Sequence, residues 1–524
     1  MKDTKFILAI DLGTSGPKVV LISTEGDIVA QTYAHTELIL LPGGGAEQDP
    51  KDWWRAIKAC VHELLAQKLV PVDEIVAISC TGQWSGTVAV GQDGLPLTNA
   101  IIWLDARGEP YARQITDGLI NIAGYGLDKL LTWIRLTGGI PTLSGKDSIA
   151  HILYLKHQHP DIYAQTHKFL EPKDYLNFWL TGRYVATYDS ITLHWLTDNR
   201  DLAKVDYSAR LLQMATIERE KLPDLIRAVD VVGTLRPSVA AELGLNASVQ
   251  VIGSSPDMHT AAVGSGAVGD YEAHIYLGTS SWLICHVPFK KTDLFHNMGS
   301  MPSAIPDRYL LVNEQESAGS CINYLIDNLL YPADGLGAVE RPVDVYDRLN
   351  VVAAAVPAGS DNLIFLPWLY GERSPIDDST VRGGFFNQSL QTTRAHMVRA
   401  VFEGVAYNTR WLLQYVEKFI KRPLQSIRVI GGGAQSDLWC QIMADVLDRP
   451  MLQIDNPLQV NTRGAAFIAA VALGYLSFAD VNSRVKVTQT YHPNPENRQI
   501  YDKLFREFDN LYKNNRGSFA RLNG

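Results

Sequence analysis

The chain opens on two apolar runs, FILAI and PKVVLIS, either side of a short polar turn, LGTS (Leu12–Ser15). A second turn, TEGD, leads into IVAQTYA, so this opening predicts an antiparallel β-meander. In EQDPKDWWRAIKACVHELLAQ the apolar positions return at helical spacing, with Asp49 suited to the N-cap and Pro50 to the first helical position. EIVAISCTG predicts a strand, and GTVAVGQDGLPLTNAIIWLD a hairpin turning at Gln92-Asp93-Gly94. From about Gly108 to Asp230 the pattern is helix-rich and less regular, like an insertion that shapes a site.

The opening pattern then starts again. SVQVIGSS predicts a strand from about Val249, and HIYLGTSSWLICHV a strand, the same LGTS turn (Leu277–Ser280) and another strand. RAHMVRAVFEGVAYNTRWLLQYVEKF predicts a helix, SIRVIGGGA a strand, SDLWCQIMADVLD a helix, and NRQIYDKLFREFDNLYK a closing amphipathic helix. A β-rich opening that recurs halfway predicts two α/β domains of related design facing one another, 1–247 and 248–524. The two turns differ in what precedes them: Asp11 in the first copy, Tyr276 in the second.

Composition narrows the class. At 524 residues the chain exceeds one ordinary core, and 46% hydrophobic with 20% charged residues fits a soluble globular protein. A net charge of −9 without a long basic run argues against a nucleic-acid partner. The N-terminal apolar stretch is broken by Asp11 and lacks a cleavage site, and GAAFIAAVALGYL (Gly464–Leu476) is too short to span a bilayer, so no membrane role is expected. Five widely spaced cysteines without a CxxC pair predict reduced thiols in a cytoplasmic protein.

Several short stretches carry candidate chemistry. Each LGTS turn offers amides and hydroxyls (Gly13, Thr14, Ser15), and Lys18 adds a charge to the first. One such turn alone would be an ordinary hairpin, but two in matching places could hold a polyphosphate from both sides. Asp257, in IGSSPDMHTAAVG, follows a strand and precedes a small-residue helix, as an N-cap or as a ligand at a strand end. Paired with Asp11, one carboxylate could organise Mg²⁺ while the other accepts a hydroxyl proton.

IIWLDARG places Trp103, Asp105 and Arg107 on one face by alternation, as an edge salt bridge or a sugar wall, and TGQWSG brings Gln83, Trp84 and Ser85 to the same rim. GGGAQSDLW (Gly431–Trp439) offers bare backbone for a flat ring, or a plain strand-to-helix turn with Ser436 as N-cap. LSGKDS fails the Walker pattern, with Ile140 in the place of its first glycine and Asp147 in that of its hydroxyl. GSGAVG (Gly264–Gly269) leads from a helix into a strand, the reverse of a dinucleotide site. Gly43-Gly44-Gly45 reads as a flexible loop, and His157 and His159 as solvated helix-end residues.

Taken in order, DLGTSGPK, EQDPKDWW, WLDAR, EPKDYLNFWLTG, PDMHTAAVGSG, YLGTSS, GERSPIDDSTVRGGFF, FEGVAYN and GGGAQSDLW resemble the FGGY family of carbohydrate kinases, and most closely its xylulokinase-like branch, from about Phe6 to Leu476. The resemblance implies two actin-like, ribonuclease H-like ATPase domains in a hexokinase-like duplication, with an interdomain active-site cleft. It implies an ATP-dependent sugar kinase using Mg²⁺. Asp257 falls on the catalytic base, and Asp11 with Asp257 on the metal. Gly13, Thr14, Ser15, Gly278 and Thr279 fall on the phosphate turns, beside Lys18. Gly319, Gly432 and Gly433 fall on the nucleotide contacts, beside Ser436. Gln83, Trp84, Trp103 and Asp105 fall along the sugar cleft.

The chain departs from the branch in three places. Trp84-Ser85 replaces a usual Met-His, Met258 follows the base where Asn or Gln is usual, and a usual Lys gives way to His151 or its neighbours. A ketopentose such as D-xylulose is the first candidate substrate, and another ketose or polyol the second. A non-catalytic actin-fold sensor of nucleotide or sugar is a reading of a different class, and a homodimer is an option by resemblance.

Overall fold

The computed structural model describes residues 4–524. The predicted meander forms as β1 (Phe6–Gly13), β2 (Gly16–Ser23) and β3 (Ile28–Tyr33), antiparallel throughout. After it come a short hairpin, β4 (Ile39–Leu41) and β5 (Gly45–Gln48), and the helix α1 (Pro50–Ala66). Asp49 caps α1 by accepting the Lys51 amide at 2.9 Å. The chain then returns parallel to β1 as β6 (Ile75–Gly82). Beyond the insertion, β7 (Val231–Thr234) and β8 (Gln250–Ile252) complete a six-stranded sheet, ordered β7-β8-β6-β1-β2-β3.

The second half repeats this plan. After α2 (Asp257–Gly264), β9 (Ala273–Leu277) and β10 (Ser281–Val287) form the next antiparallel pair. They are followed by β11 (Thr292–Asp293), β12 (Met298–Pro302) and β13 (Tyr309–Val312), and then by the short α3 (Gly319–Leu325) and the long α4 (Arg394–Ile420). β14 (Ile427–Ile430), α5 (Asp437–Leu447), β15 (Met451–Ile454), α6 (Val460–Ala472), β16 (Val487–Tyr491) and α7 (Arg498–Asn523) finish the chain. The sheet order is β11-β12-β13-β10-β9-β14-β15-β16, so β3-β2-β1-β6-β8-β7 maps strand for strand onto β13-β10-β9-β14-β15-β16. The closing helix α7 buries Tyr501, Leu504, Phe505, Phe508 and Leu511, the helical spacing that the sequence predicted.

The halves meet through α2 and α6, which follow equivalent strands. Almost every residue of both helices from His259 and Thr462 onward to their last turns is buried. α6 also packs on β1 and β6 of the first sheet, where Ser79 Oγ donates to the Ala465 carbonyl at 2.7 Å. Thr81, beside Asp11 in the β1–β6 register, meets Thr260 of α2 hydroxyl to hydroxyl at 2.8 Å.

Two expectations need correction. A division at 247/248 would cut the first sheet, because β8 pairs in parallel register with β6 (Val251 with Ile78). Its apolar run looked like the start of a second cycle and is instead the last parallel strand of the first. The hairpin turning at Gln92–Gly94 forms as predicted, its arms joined antiparallel at Val90–Pro96 and Thr87–Ile101, while Val88–Val90 also pairs with Lys168–Leu170 and Ala100–Ile101 with β5. Gly43 and Gly44 are not a free loop, for they close the β4–β5 hairpin, and the Gly44 carbonyl accepts the Ala106 amide at 2.9 Å.

Candidate active site

The two LGTS turns are alike in place and different in build. In the first, Gly13 pairs with Gly16 around a two-residue turn, Thr14-Ser15. Gly16 is the constrained glycine: its φ is +140°, and a Cβ there would lie 2.0 Å from the Ala34 carbonyl oxygen. The sequence singled out Gly13, where a Cβ would have room. The turn's carbonyls face away from the cleft into bonds from Gln48 Nε2 (2.8 Å, to Thr14) and from Tyr33 Oη (2.7 Å) and the Thr36 amide (3.1 Å), both to Ser15.

In the second turn Leu277 pairs with Ser281 around three residues. Here glycine is required, since a Cβ on Gly278 would lie 2.1 Å from the Tyr276 ring. The Gly319 amide donates to the Gly278 carbonyl at 2.7 Å, which joins α3 to this turn. Gly431 and Gly433 press on Leu277 from the end of β14, while a side chain at Gly432 would meet open space. Ser436 accepts the Trp439 amide at 3.0 Å as the cap of α5 and donates to Asn350 at 2.6 Å, so its hydroxyl is already engaged. The expected nucleotide contacts Gly278, Thr279, Gly319, Gly432 and Gly433 thus gather at one end of the second sheet.

Asp11 ends the first sheet's central strand, and Asp257 opens α2. Asp257 is the first helical residue, with Pro256 at the N-cap, so its carboxylate is free of the capping role that the sequence left open. It accepts one bond, from the Met258 amide at 2.8 Å. Burial pushes its carboxyl up to about 7, and the charge of Asp11 adds to the rise. Burial also raises Asp11, against the pull of Lys18 across the hairpin. The Lys18 ammonium itself bonds the Leu458 carbonyl at 2.9 Å.

The duplication sets two further residues opposite these carboxylates. Tyr276 holds the place in β9 that Asp11 holds in β1, and Asn461 opens α6 much as Asp257 opens α2. The four meet crosswise: Asn461 Nδ2 lies 3.5 Å from Asp11 Oδ2, and the Tyr276 phenol is held up to about 12 by burial and by Asp257, Asp11 and Glu314. Asn461 gave no signal in the sequence. Neither carboxylate forms an ion pair among the described residues, a pair of concentrated negative charges that suits a divalent cation. No group of three or more His, Cys, Asp or Glu among the described residues is arranged to hold a metal by itself, so such a cation would need oxygens from a substrate.

A hydrogen-bonded chain joins the first turn to the expected sugar wall. Trp103 Nε1 donates to Thr14 Oγ1 at 2.9 Å, and Thr14 lies 3.4 Å from Gln83 Oε1. Gln83 Nε2 donates to Gln48 Oε1 at 2.8 Å, as does Trp53 Nε1 at 3.2 Å. Gln48, wholly buried, is the node of this network, and sequence reasoning assigned it no role. Trp84 donates to the Ser190 carbonyl at 2.8 Å and sets its ring edge-on to His259 at 5.1 Å. Met258 is partly buried and packs on the same apolar cluster as Trp84.

Asp105 follows the salt-bridge alternative rather than the sugar wall that the resemblance implies. It is wholly buried, and its oxygens accept the Ala46 amide and the Arg107 amide and Nε, each at 2.9 Å. It therefore shapes the rim through Arg107, which also reaches Glu47 at 2.6 Å. Trp103 to Arg107 lie in a turn after Ile101 rather than on a strand, so alternation does not order them. His151 is buried between Thr87 and the Asp105 carbonyl (3.4 and 3.2 Å) and turns away from the cleft. His157 stacks on Tyr111 at 4.7 Å, and His159 sets edge-on to Tyr154.

A second charged cluster, unread from the sequence, faces the cleft from the other half. Arg373 bonds both Glu314 and Glu316, and Glu372 accepts the Glu316 and Arg373 amides at 2.9 Å and Asn408 Nδ2 at 2.5 Å. Burial pushes Glu372 up to about 7 despite these donors. Lys146 approaches this cluster from the insertion, and its carbonyl accepts the Ser85 hydroxyl at 2.7 Å beside the sugar wall.

Two sheets of one plan, with matching turns at strand ends and paired carboxylates between them, define a two-domain ATPase fold of the actin-like, ribonuclease H-like kind. The N-terminal domain of the FGGY family of carbohydrate kinases matches residues 6–264 and its C-terminal domain residues 273–473. The chain belongs to this family and is a phosphotransferase with an alcohol group as acceptor. It is 28% identical to a xylulose kinase of Bacillus subtilis (strain 168), with 97% of each chain covered. Among solved structures it is similar to a ligand-bound xylulose kinase and to a gluconate kinase, both from Lactobacillus acidophilus. Each superposes with a TM-score of 0.85 at 26% identity, over 99% of this chain and 100% of the other. Among the described residues, no helix is long and apolar enough to cross a membrane.

Proposed function

We propose that this kinase transfers the γ-phosphoryl group of ATP to a hydroxyl of a small sugar, with a ketopentose such as D-xylulose as the first candidate. The observation that carries the reading is the position of Asp257: a nearly unpartnered carboxylate beside Asp11, between the two turns. Asp257 accepts the proton of the sugar hydroxyl as its oxygen bonds to the γ-phosphorus, and the bond from that phosphorus to the β–γ bridging oxygen breaks to leave ADP. The turn amides, Thr14 and Thr279 hold the phosphates, and Gly432 and Gly433 leave room for the nucleoside. Asp11 and Asp257 would hold Mg²⁺, which when bound neutralises phosphate charge. Use of ATP suits a cytoplasmic setting.

The names of the xylulose kinase relatives support the ketopentose. One observation favours a second reading, a sugar acid. The Lys146 ammonium has no hydrogen bond or ion-pair partner among the described residues, lies beside the sugar wall, and would suit a carboxylate, and one structural neighbour is named a gluconate kinase. ADP release measured over ketoses, aldoses, polyols and aldonates tests both. D-xylulose should give the highest kcat/KM, and Asp257→Asn should lower kcat by at least about a hundredfold. Equal turnover by Asp257→Asn would remove Asp257 as the base, and preference for an aldonate that is lost in Lys146→Met would establish the second reading.

A further inference from the structure

Tyr276, like Asn461, is a member of the crosswise quartet that the chemistry above does not use. Its ring is fixed on two sides. Trp282, its register partner in β10, stacks on it with centroids 4.1 Å apart and planes 15° apart. Gly431, at the end of β14, would place a Cβ 3.0 Å from its Cδ2. The ring then folds over the second turn, with Cζ and Oη each 2.1 Å from where a Gly278 Cβ would stand. A side chain at Gly278 would collide with this ring, and one at Gly431 would press on its edge as well as on the Leu277 backbone.

The hydroxyl at its tip has no hydrogen-bond partner among the described residues, and it is not sealed off from solvent. A phenol at the end of a packed strand ordinarily finds an acceptor. Here the charges that bear on it are the Asp257, Asp11 and Glu314 carboxylates, a setting that favours a neutral donor aimed at anionic oxygen. Asp11 reaches the cleft from the equivalent place in the first half, opposite Lys18, whereas Tyr276 stands opposite Trp282. Duplication has thus given one carboxylate and one phenol from matching sites.

We propose that the Tyr276 hydroxyl donates a hydrogen bond to an equatorial oxygen of the phosphoryl group in transit, which makes Tyr276 a catalytic residue of this chain. The inference rests on the reading that the phosphates lie between the two turns. A fixed donor aimed at developing charge stabilises the transition state without the cost of reorganisation. The ring stack holds the donor in place, and the bond is strongest when the phosphoryl group has left the β-phosphate and its charge is spread over its oxygens.

Tyr276→Phe keeps the ring and the stack and removes only the donor. The expected result is a kcat lower by about ten- to a hundredfold, with KM for ATP and sugar within about twofold of wild type. Calorimetric titration gives the second readout. ADP alone should bind equally to both proteins, whereas ADP with aluminium fluoride and sugar should bind the variant about tenfold or more weakly. Wild-type kcat in Tyr276→Phe would overturn the proposal, and so would an equal loss of ADP and ADP–fluoride affinity, which a merely structural role produces. Thr279→Val tests the underlying reading separately: unchanged ADP affinity there would move the phosphates away from the second turn.

Discussion

Gly264 and Gly464 lie backbone to backbone where α2 crosses α6. A Cβ on either would stand 1.9 Å from a carbonyl oxygen of the other helix, that of Val460 or of Thr260. This contact sets the height at which α2 presents Asp257 to Asp11. Gly464→Ala must push the helices apart and is expected to destabilise the protein by about 2–3 kcal/mol. Because the base moves with α2, kcat should fall more than tenfold. Urea denaturation and steady-state kinetics on the same preparation check both effects, and a variant with wild-type stability would show that the crossing is loose.

Gln48 ties the first phosphate turn to the sugar wall through Thr14, Gln83 and Trp53. Gln48→Leu leaves the Trp53 indole and the Gln83 amide without their acceptor inside the core. A loss of roughly 3 kcal/mol in stability is expected, since each stranded group costs about 1–3 kcal/mol. In kinetics, the sugar KM should rise while the affinity for ADP falls little. Unchanged sugar KM at lowered stability would confine Gln48 to the core.

Arg373 holds Glu314 and Glu316 at the edge of the cleft, and Glu314 in turn bears on Asp257. Arg373→Met is expected to cost about 3 kcal/mol by leaving the two carboxylates without their cation. Added Glu314→Gln and Glu316→Gln should recover much of that stability. A triple variant no more stable than Arg373→Met would show that packing, rather than charge, gives Arg373 its value.

Glu372 makes folding stability depend on pH. Burial raises its folded value from the ordinary 4.5 to about 7, so the native state binds its proton more tightly than the unfolded chain does. Its contribution is complete below pH 4.5 and is lost as pH rises through 7, by up to about 3 kcal/mol. Between pH 5 and pH 8 the wild type should lose more stability than Glu372→Gln, whatever the absolute stability of the variant. Parallel losses in denaturant titrations at the two pH values would place the proton elsewhere.

Most of the fold was legible because its signals are local. Apolar runs, the Asp49-Pro50 start of α1 and the two LGTS turns each lie within a few residues of one another. What the sequence hid depends on contacts between distant segments. Asn461 meets Asp11 across most of the chain, Gly464 meets Gly264, and Gln48 joins four segments. β8 lies in the first sheet rather than the second, a distinction its residues do not carry because an apolar parallel strand looks the same in either. The sequence leaves Asp105 between a salt bridge and a sugar wall, and only the fold shows that Ala46 and Arg107 take both its oxygens.

The packing of α6 on β1 and β6 has a consequence for how the protein is made. A ribosome completes the first sheet's central strands by Gly82, but their covering helix begins only at Val460. Throughout that interval the nascent chain carries an apolar sheet face without its native cover. The first half therefore cannot mature on its own schedule, and a polypeptide that stops short of α6 should stay protease-sensitive in β1 and β6 until that helix is supplied.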